Sequence, residues 1–179
     1  MINCTRRRLG ALALCAVVIG LAGCGTPQTA TSLVAQGLKA QLAGDDSTAE
    51  STYLQATKLD PNNAVAHYDL GTVYDRQGNR SEAVAEYTAA VVIDPAFTDA
   101  LFNLAVDTAS AEPARAEDLY LKVVTLQPSF AAAWLNVGFI LAGDGKTATA
   151  RDDWARAASL DPTLASRVPA ALTSPTPKP

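Results

Sequence analysis

The chain has 179 residues, 49% hydrophobic and 18% charged, which suits one compact domain or one short repeat array and is too apolar for wholesale disorder. Fourteen Lys and Arg face 18 Asp and Glu, a formal net charge of −4, and this argues against nucleic acid, whose phosphates call for clustered cations. One His and three Cys leave little material for a transition-metal site.

Residues 1–23 read as an export signal. Arg6, Arg7 and Arg8 precede an apolar run from Leu9 to Leu21, with no acidic residue in the segment. These 13 residues are too few to cross a bilayer core, which takes about 20, but they suit the h-region of a secretory signal. The run ends in Leu21-Ala22-Gly23-Cys24, which resembles the bacterial lipobox. The resemblance implies cleavage before Cys24, diacylation of Cys24, and attachment to the extracytoplasmic side of a cell membrane, inner or outer. An uncleaved N-terminal anchor is the alternative. Thr5-Arg6-Arg7-Arg8-Leu9-Gly10 resembles a twin-arginine export signal, and a plain basic n-region explains the same residues.

Cleavage there removes Cys4 and Cys15, so the mature chain would hold no free thiol and no disulfide. It also removes three Arg and no acid, leaving 11 cations against 18 anions, near −7. A polybasic attraction to anionic headgroups is then excluded, and attachment would rest on acyl chains, two of which suffice for stable anchoring. Beyond that covalent lipid, no cofactor is expected.

From residue 30 to 164 one unit recurs four times, over 30–63, 64–97, 98–130 and 131–164. Pro61, Pro95, Pro128 and Pro162 are spaced by 34, 33 and 34 residues. Small residues stand at Gly37, Gly71, Ala105 and Gly138, and alanine at Ala49, Ala83, Ala116 and Ala150. Large aromatics stand at Tyr53, Tyr87, Tyr120 and Trp154, and further small or medium residues at Ala56, Ala90, Val123 and Ala157. Each proline stops a second helix, since it lacks an N–H and disfavours helix in the residue before it. The small columns let helices approach, and the aromatic column fills the space between one unit and the next. Gly44, Gly78 and Gly145 relax the inner turns of units one, two and four. Unit three lacks that glycine and carries Pro113, so a tighter or irregular turn is expected over Ser110 to Pro113. Residues 25–29 form a linker, 164–172 a short cap weakened by Pro169, and 173–179 a proline-rich tail.

The pattern resembles the tetratricopeptide repeat. Its nearest unit reads His67-Tyr68-Asp69-Leu70-Gly71, then Tyr74, Gly78, Ala83, Tyr87, Ala90 and Asp94-Pro95. Unit four matches as well, with Trp134, Val137-Gly138, Gly145, Ala150, Trp154, Ala157 and Asp161-Pro162. The resemblance implies an all-α, right-handed superhelical solenoid of about eight helices, whose first helices line a concave groove for peptides. The groove positions it implies are Val34, Leu38, Tyr68, Thr72, Phe102, Val106, Leu135 and Phe139, with Asp75, Asn103 and Asn136 as polar additions. The family's carboxylate clamp needs Lys and Arg on successive first helices. Those places hold Val34, Leu38, Tyr68, Thr72 and Ala132, which argues against an acidic peptide tail.

Catalytic parts are missing. Gly145-Lys146-Thr147 looks like the end of a phosphate-binding loop, but that loop needs glycine where Ile140 stands. His67 sits in a column that usually packs an aromatic, and Asp45-Asp46 and Asp152-Asp153 read as helix-start and surface pairs. The expectation is a non-enzymatic scaffold, without metal, that binds an apolar peptide or helix of another envelope protein. Two alternatives stand beside it: a structural lipoprotein that self-associates through its C-terminal end, and a regulatory subunit of an envelope enzyme.

Overall fold

The computed structural model describes residues 28–168. The export signal at 1–23, the lipidation site Cys24, all but the last two residues of the 25–29 linker, and the tail from 169 onward lie outside the described residues.

Eight α-helices follow one another in antiparallel pairs: α1 (Ala30–Leu42) with α2 (Asp46–Leu59), α3 (Ala64–Gln77) with α4 (Arg80–Ile93), α5 (Thr98–Thr108) with α6 (Pro113–Leu126), and α7 (Ala131–Gly143) with α8 (Thr147–Leu160). A 3-10 segment, Pro162–Arg167, closes the series. Among the described residues there is no strand, and no helix is long and apolar enough to cross a membrane. Each helix packs chiefly on its neighbours in sequence, so the pairs stack as an all-helical solenoid.

The proline column acts through the residue before it. Asp60, Asp94 and Asp161 each close a second helix in an extended conformation, as a residue before proline must. Their carboxylates then accept the backbone N–H of Asn62, Ala96 and Thr163 across the turn. The Asp-Pro pair therefore ends one unit and holds open the entry to the next. Gly78 has φ +79°, a left-handed conformation that caps α3 and that a side chain would strain.

The unit-three turn is irregular but not tighter. Without a glycine to leave the helix, α5 stops after 11 residues, and Ala111 and Glu112 both donate to the Thr108 carbonyl. Four residues, 109–112, connect α5 to α6, and Pro113 stands at the first turn of α6. The C-terminal cap also differs from expectation. It begins at Pro162, is a 3-10 turn, and puts Val168 into the core beside Trp154 and Leu141.

The aromatic column works first inside its own unit. A Cβ added to Gly37 would lie 2.5 Å from Tyr53, and one added to Gly71 2.7 Å from Tyr87, so each ring lies flat on its own unit's glycine. Its remaining surface meets the next unit: Tyr53 packs with Leu70 and Val73, and Tyr87 with Leu104. Tyr53 and Tyr87 are fully buried. Ala49, Ala83, Ala116 and Ala150 are likewise wholly inaccessible, which fixes the close side of every pair.

Candidate functional site

The first helices share one face. Gln41 on α1 donates to the Thr72 hydroxyl on α3 at 3.0 Å, and α1 touches α3 directly. Along that face the residues proposed from sequence fall into three groups. Leu38 and Val106 are open to solvent, 46% and 45% exposed. Val34, Tyr68, Thr72, Phe102 and Phe139 are half-buried. Leu135, by contrast, is completely buried. It lies in the core with Tyr120, Val137 and Trp154, and its carbonyl accepts the Trp154 indole N–H at 3.2 Å. Leu135 is therefore a core residue and not a groove residue.

The three rings are neither free anchors nor plain core. Tyr68 lies 4.8 Å from Phe97 and 5.9 Å from Tyr87, centroid to centroid. Phe102 repeats the arrangement one unit on, 4.8 Å from Phe130 and 5.6 Å from Tyr120. Phe139 lies 5.5 Å from Trp154. Phe97 and Phe130 occupy the N-cap positions of α5 and α7, where Thr29 and Asn63 cap α1 and α3 through their side chains. The entries to α5 and α7 thus exchange a side-chain cap for a ring that packs on the ring of the preceding first helix. The outer edges of Tyr68 and Phe102 remain on the surface.

Asn103 and Asn136 are structural. Asn103 donates to the Tyr87 hydroxyl at 3.3 Å and Asn136 to the Tyr120 hydroxyl at 3.0 Å. Each joins its own first helix to the aromatic of the unit before, so both amide nitrogens are committed to the fold. Asp75 accepts the Tyr87 hydroxyl at 2.7 Å, and Gln41, in the same column of unit one, accepts that of Tyr53 at 3.1 Å. In the two later seams the tyrosine hydroxyl thus accepts an amide from the next unit, and at Tyr87 it also donates within its own unit.

The seam between units one and two breaks this rule. The residue in the Asn103 and Asn136 column is Asp69, and its carboxylate makes no hydrogen bond and no ion pair. Burial pushes Asp69 up to about 6. The Tyr68 phenol is raised as well, first by burial and then by the charges of Asp99 and Asp69. The signal for Asp69 lay in the column: an acid where two other units hold a donating amide.

A second acid, Asp107, is 7% exposed, sits 3.5 Å from the Arg80 guanidinium, and leaves Oδ2 without a hydrogen-bond partner. Burial, and then the Asp75 charge, raises its carboxyl well above the ordinary range. His67 is polar rather than an aromatic filler: Nδ1 lies 2.6 Å from Glu86, and Nε2 3.2 Å from the Pro61 carbonyl. Trp134, in the same column, donates to the Pro128 carbonyl at 3.0 Å. Lys146, from the phosphate-loop lookalike, pairs with Asp144 at 3.3 Å. Among the described residues no three His, Cys, Asp or Glu side chains are grouped as a metal site.

Known proteins share this architecture. The TPR repeat family matches residues 43–78, and two further tetratricopeptide repeat families match 64–97 and 109–165. The crystal structure of MamA superposes with a TM-score of 0.70 at 22% identity, over 79% of this chain and 83% of that one. A tetratricopeptide repeat protein from Parabacteroides merdae gives 0.66 at 22% identity, over 74% of this chain and 54% of its own. The first TPR of Spaghetti (RPAP3), bound to the HSP90 peptide SRMEEVD, gives 0.62 at 23% identity, over 66% of this chain and 94% of its own. A probable UDP-N-acetylglucosamine–peptide N-acetylglucosaminyltransferase SPINDLY from Solanum lycopersicum is 33% identical over 75 residues, 42% of this chain, and the match spans only 8% of that relative. Three family matches, a common fold and four helix pairs in one register agree: the chain belongs to the tetratricopeptide repeat family.

Proposed function

We propose that the protein is a lipid-anchored scaffold on the extracytoplasmic side of a cell membrane, which holds an apolar segment of another envelope protein against its first-helix face. The single observation that supports the binding mode is the row of half-buried rings Tyr68, Phe102 and Phe139 on α3, α5 and α7, with Leu38 and Val106 exposed on α1 and α5. Aromatic edges held in place by neighbouring rings offer a partner large contact area with little side-chain freedom left to lose. Tetratricopeptide arrays are in general interaction scaffolds rather than catalysts, and the 8% overlap with the SPINDLY relative carries no activity to this chain.

Support for the anchor comes from Arg6–Arg8, the apolar run and Leu21-Ala22-Gly23-Cys24. Cys24→Ala should abolish lipid labelling and lipoprotein-type processing; normal labelling in that variant would defeat the anchor. Crosslinking in native membranes followed by mass spectrometry should return an envelope protein joined through α3, α5 or α7. Crosslinks confined to the second helices would remove the groove.

One observation favours self-association as a second reading. A cavity of about 180 Å³ at the C-terminal end is lined by Arg151, Trp154, Ala155, Ala158, Ala165 and Val168. Sedimentation of the protein over a range of concentrations separates this reading from the first, since only self-association makes the mass concentration-dependent.

A further inference from the structure

Asp69 stands where the fold asks for an asparagine. In units three and four the equivalent amide donates to the tyrosine hydroxyl of the unit before it, Asn103 to Tyr87 and Asn136 to Tyr120. An ionised carboxylate cannot donate. The Tyr53 hydroxyl therefore has its bond to Gln41 and no donor in return, while Asp69 is left half-buried with neither oxygen paired. An unpaired, partly desolvated carboxylate destabilises the fold that carries it, and the repeat itself supplies the residue that would relieve this.

Helices α3, α5 and α7 offer this position no uncommitted cation. Asp99 lies close enough to act on the same Tyr68 phenol as Asp69. Helix α5 carries two acids, Asp99 and Asp107, and no base, and α7 carries no charge at all. On α3, Arg76 is committed to Asp46 at 3.1 Å and to the Gln41 carbonyl at 3.5 Å, and His67 to Glu86. No cation of the described residues is paired with Asp69.

We propose that Asp69, next to Tyr68 on α3, is the docking point for a guanidinium group projecting from the partner's apolar segment. The inference rests on the groove reading above and adds the partner's chemistry to it. A planar guanidinium can fork onto both oxygens of one carboxylate, which an ammonium cannot. It would supply the donors that Asp69 lacks and bring a positive charge to a face that holds acids and rings. The partner segment is thus apolar with at least one arginine, opposite in charge to the acidic tail that a carboxylate clamp receives.

The test uses the full-length protein and two immobilised pools of ten-residue peptides, with randomised apolar positions around a central arginine in one and citrulline, its neutral isostere, in the other. The native protein should be captured about ten-fold better by the arginine pool, and Asp69→Asn should bring the two pools to parity while keeping the apolar capture. Asp69→Asn should also melt at a higher temperature, because the amide can donate to Tyr53. Equal capture by both pools overturns the arginine inference and leaves the groove standing. Capture by neither overturns the groove and the inference with it. An arginine preference that survives Asp69→Asn, or a lower melting temperature in that variant, shows that Asp69 is a structural residue and overturns the assignment.

Discussion

The Gly71 Cα faces the Tyr87 ring so closely that an added Cβ would lie 2.7 Å from Cε1 and 2.8 Å from Cδ1. Tyr87 is fully buried and bonded through its hydroxyl to Asp75 and Asn103, so it has nowhere to retreat. Gly71→Val should therefore destabilise the protein by about 1–3 kcal/mol in urea unfolding, the usual range for overpacking. Gly143→Ala, where nothing lies within 4 Å, should change stability by no more than about 0.5 kcal/mol. Equal effects at the two positions would mean that α3 and α4 are not in contact at Gly71.

The seam hydrogen bonds can be measured as a coupling. Asn136→Ala removes the donor to Tyr120, and Tyr120→Phe removes the acceptor. Each alone should cost about 1 kcal/mol, and the double variant should cost less than the two together by about 0.5 kcal/mol or more. Strict additivity would show that the amide and the phenol do not interact.

The helix ends were largely legible because proline and glycine act on their own backbone. Asp94-Pro95 and Asp161-Pro162 stop α4 and α8, and Gly78 caps α3, whatever surrounds them. The register of small and aromatic columns was legible for a similar reason: Gly71 and Tyr87 meet within one unit, so spacing alone brings them together. Exposure was not legible, because it depends on the neighbouring unit. Leu135 shares a column with Tyr68 and Phe102 but is too short to reach the surface past Trp154 and Tyr120. The amides of Asn103 and Asn136 looked available until the preceding tyrosines were placed opposite them. Unit three shortened its helix instead of tightening its turn, since losing helical residues at Ala109 strains the chain less than a left-handed alanine would.

Ring pairs on the first-helix face tie binding to stability. Tyr68 lies near the start of unit two and Phe97 closes it at the α5 entry, and their rings meet at 4.8 Å, tilted by 43°. Phe97→Ala removes a ring that supports Tyr68 from behind, while leaving the exposed edge of Tyr68 chemically intact. It should lower stability by about 1–3 kcal/mol and weaken partner capture, because Tyr68 is then free to rotate. Tyr68→Ala should weaken capture at least as much. If both variants retain capture and lose only stability, the rings are core and the second-helix face becomes the binding surface.

Asp69, half-buried, and Asp107, buried, give the fold a pH dependence. Asp69 is raised by burial to about 6, and Asp107 is raised by burial and by the Asp75 charge, with Arg80 opposing. Asp153 shifts in the same direction, by burial and then by Asp152. A carboxyl whose folded value lies above its unfolded value of about 3.9 binds more protons in the folded state between those two values. Its stabilising contribution is complete below about 4 and is lost as pH rises through the folded value. Stability should therefore fall between about pH 4.5 and pH 7, by roughly 1 kcal/mol for each of Asp69 and Asp107 once solvent screening is allowed for. Asp45 and Glu82 are lowered by hydrogen bonds from Thr48 and Ser81, so they act in the opposite sense, and only below their ordinary values. Urea unfolding at several pH values across this window measures the slope. The Asp69→Asn, Asp107→Asn double variant should be more stable at neutral pH and show a shallower slope. A native stability that rises across the window would mean that both carboxylates are paired with cations in solution, and the unpaired Asp69 on which the arginine site depends would not exist.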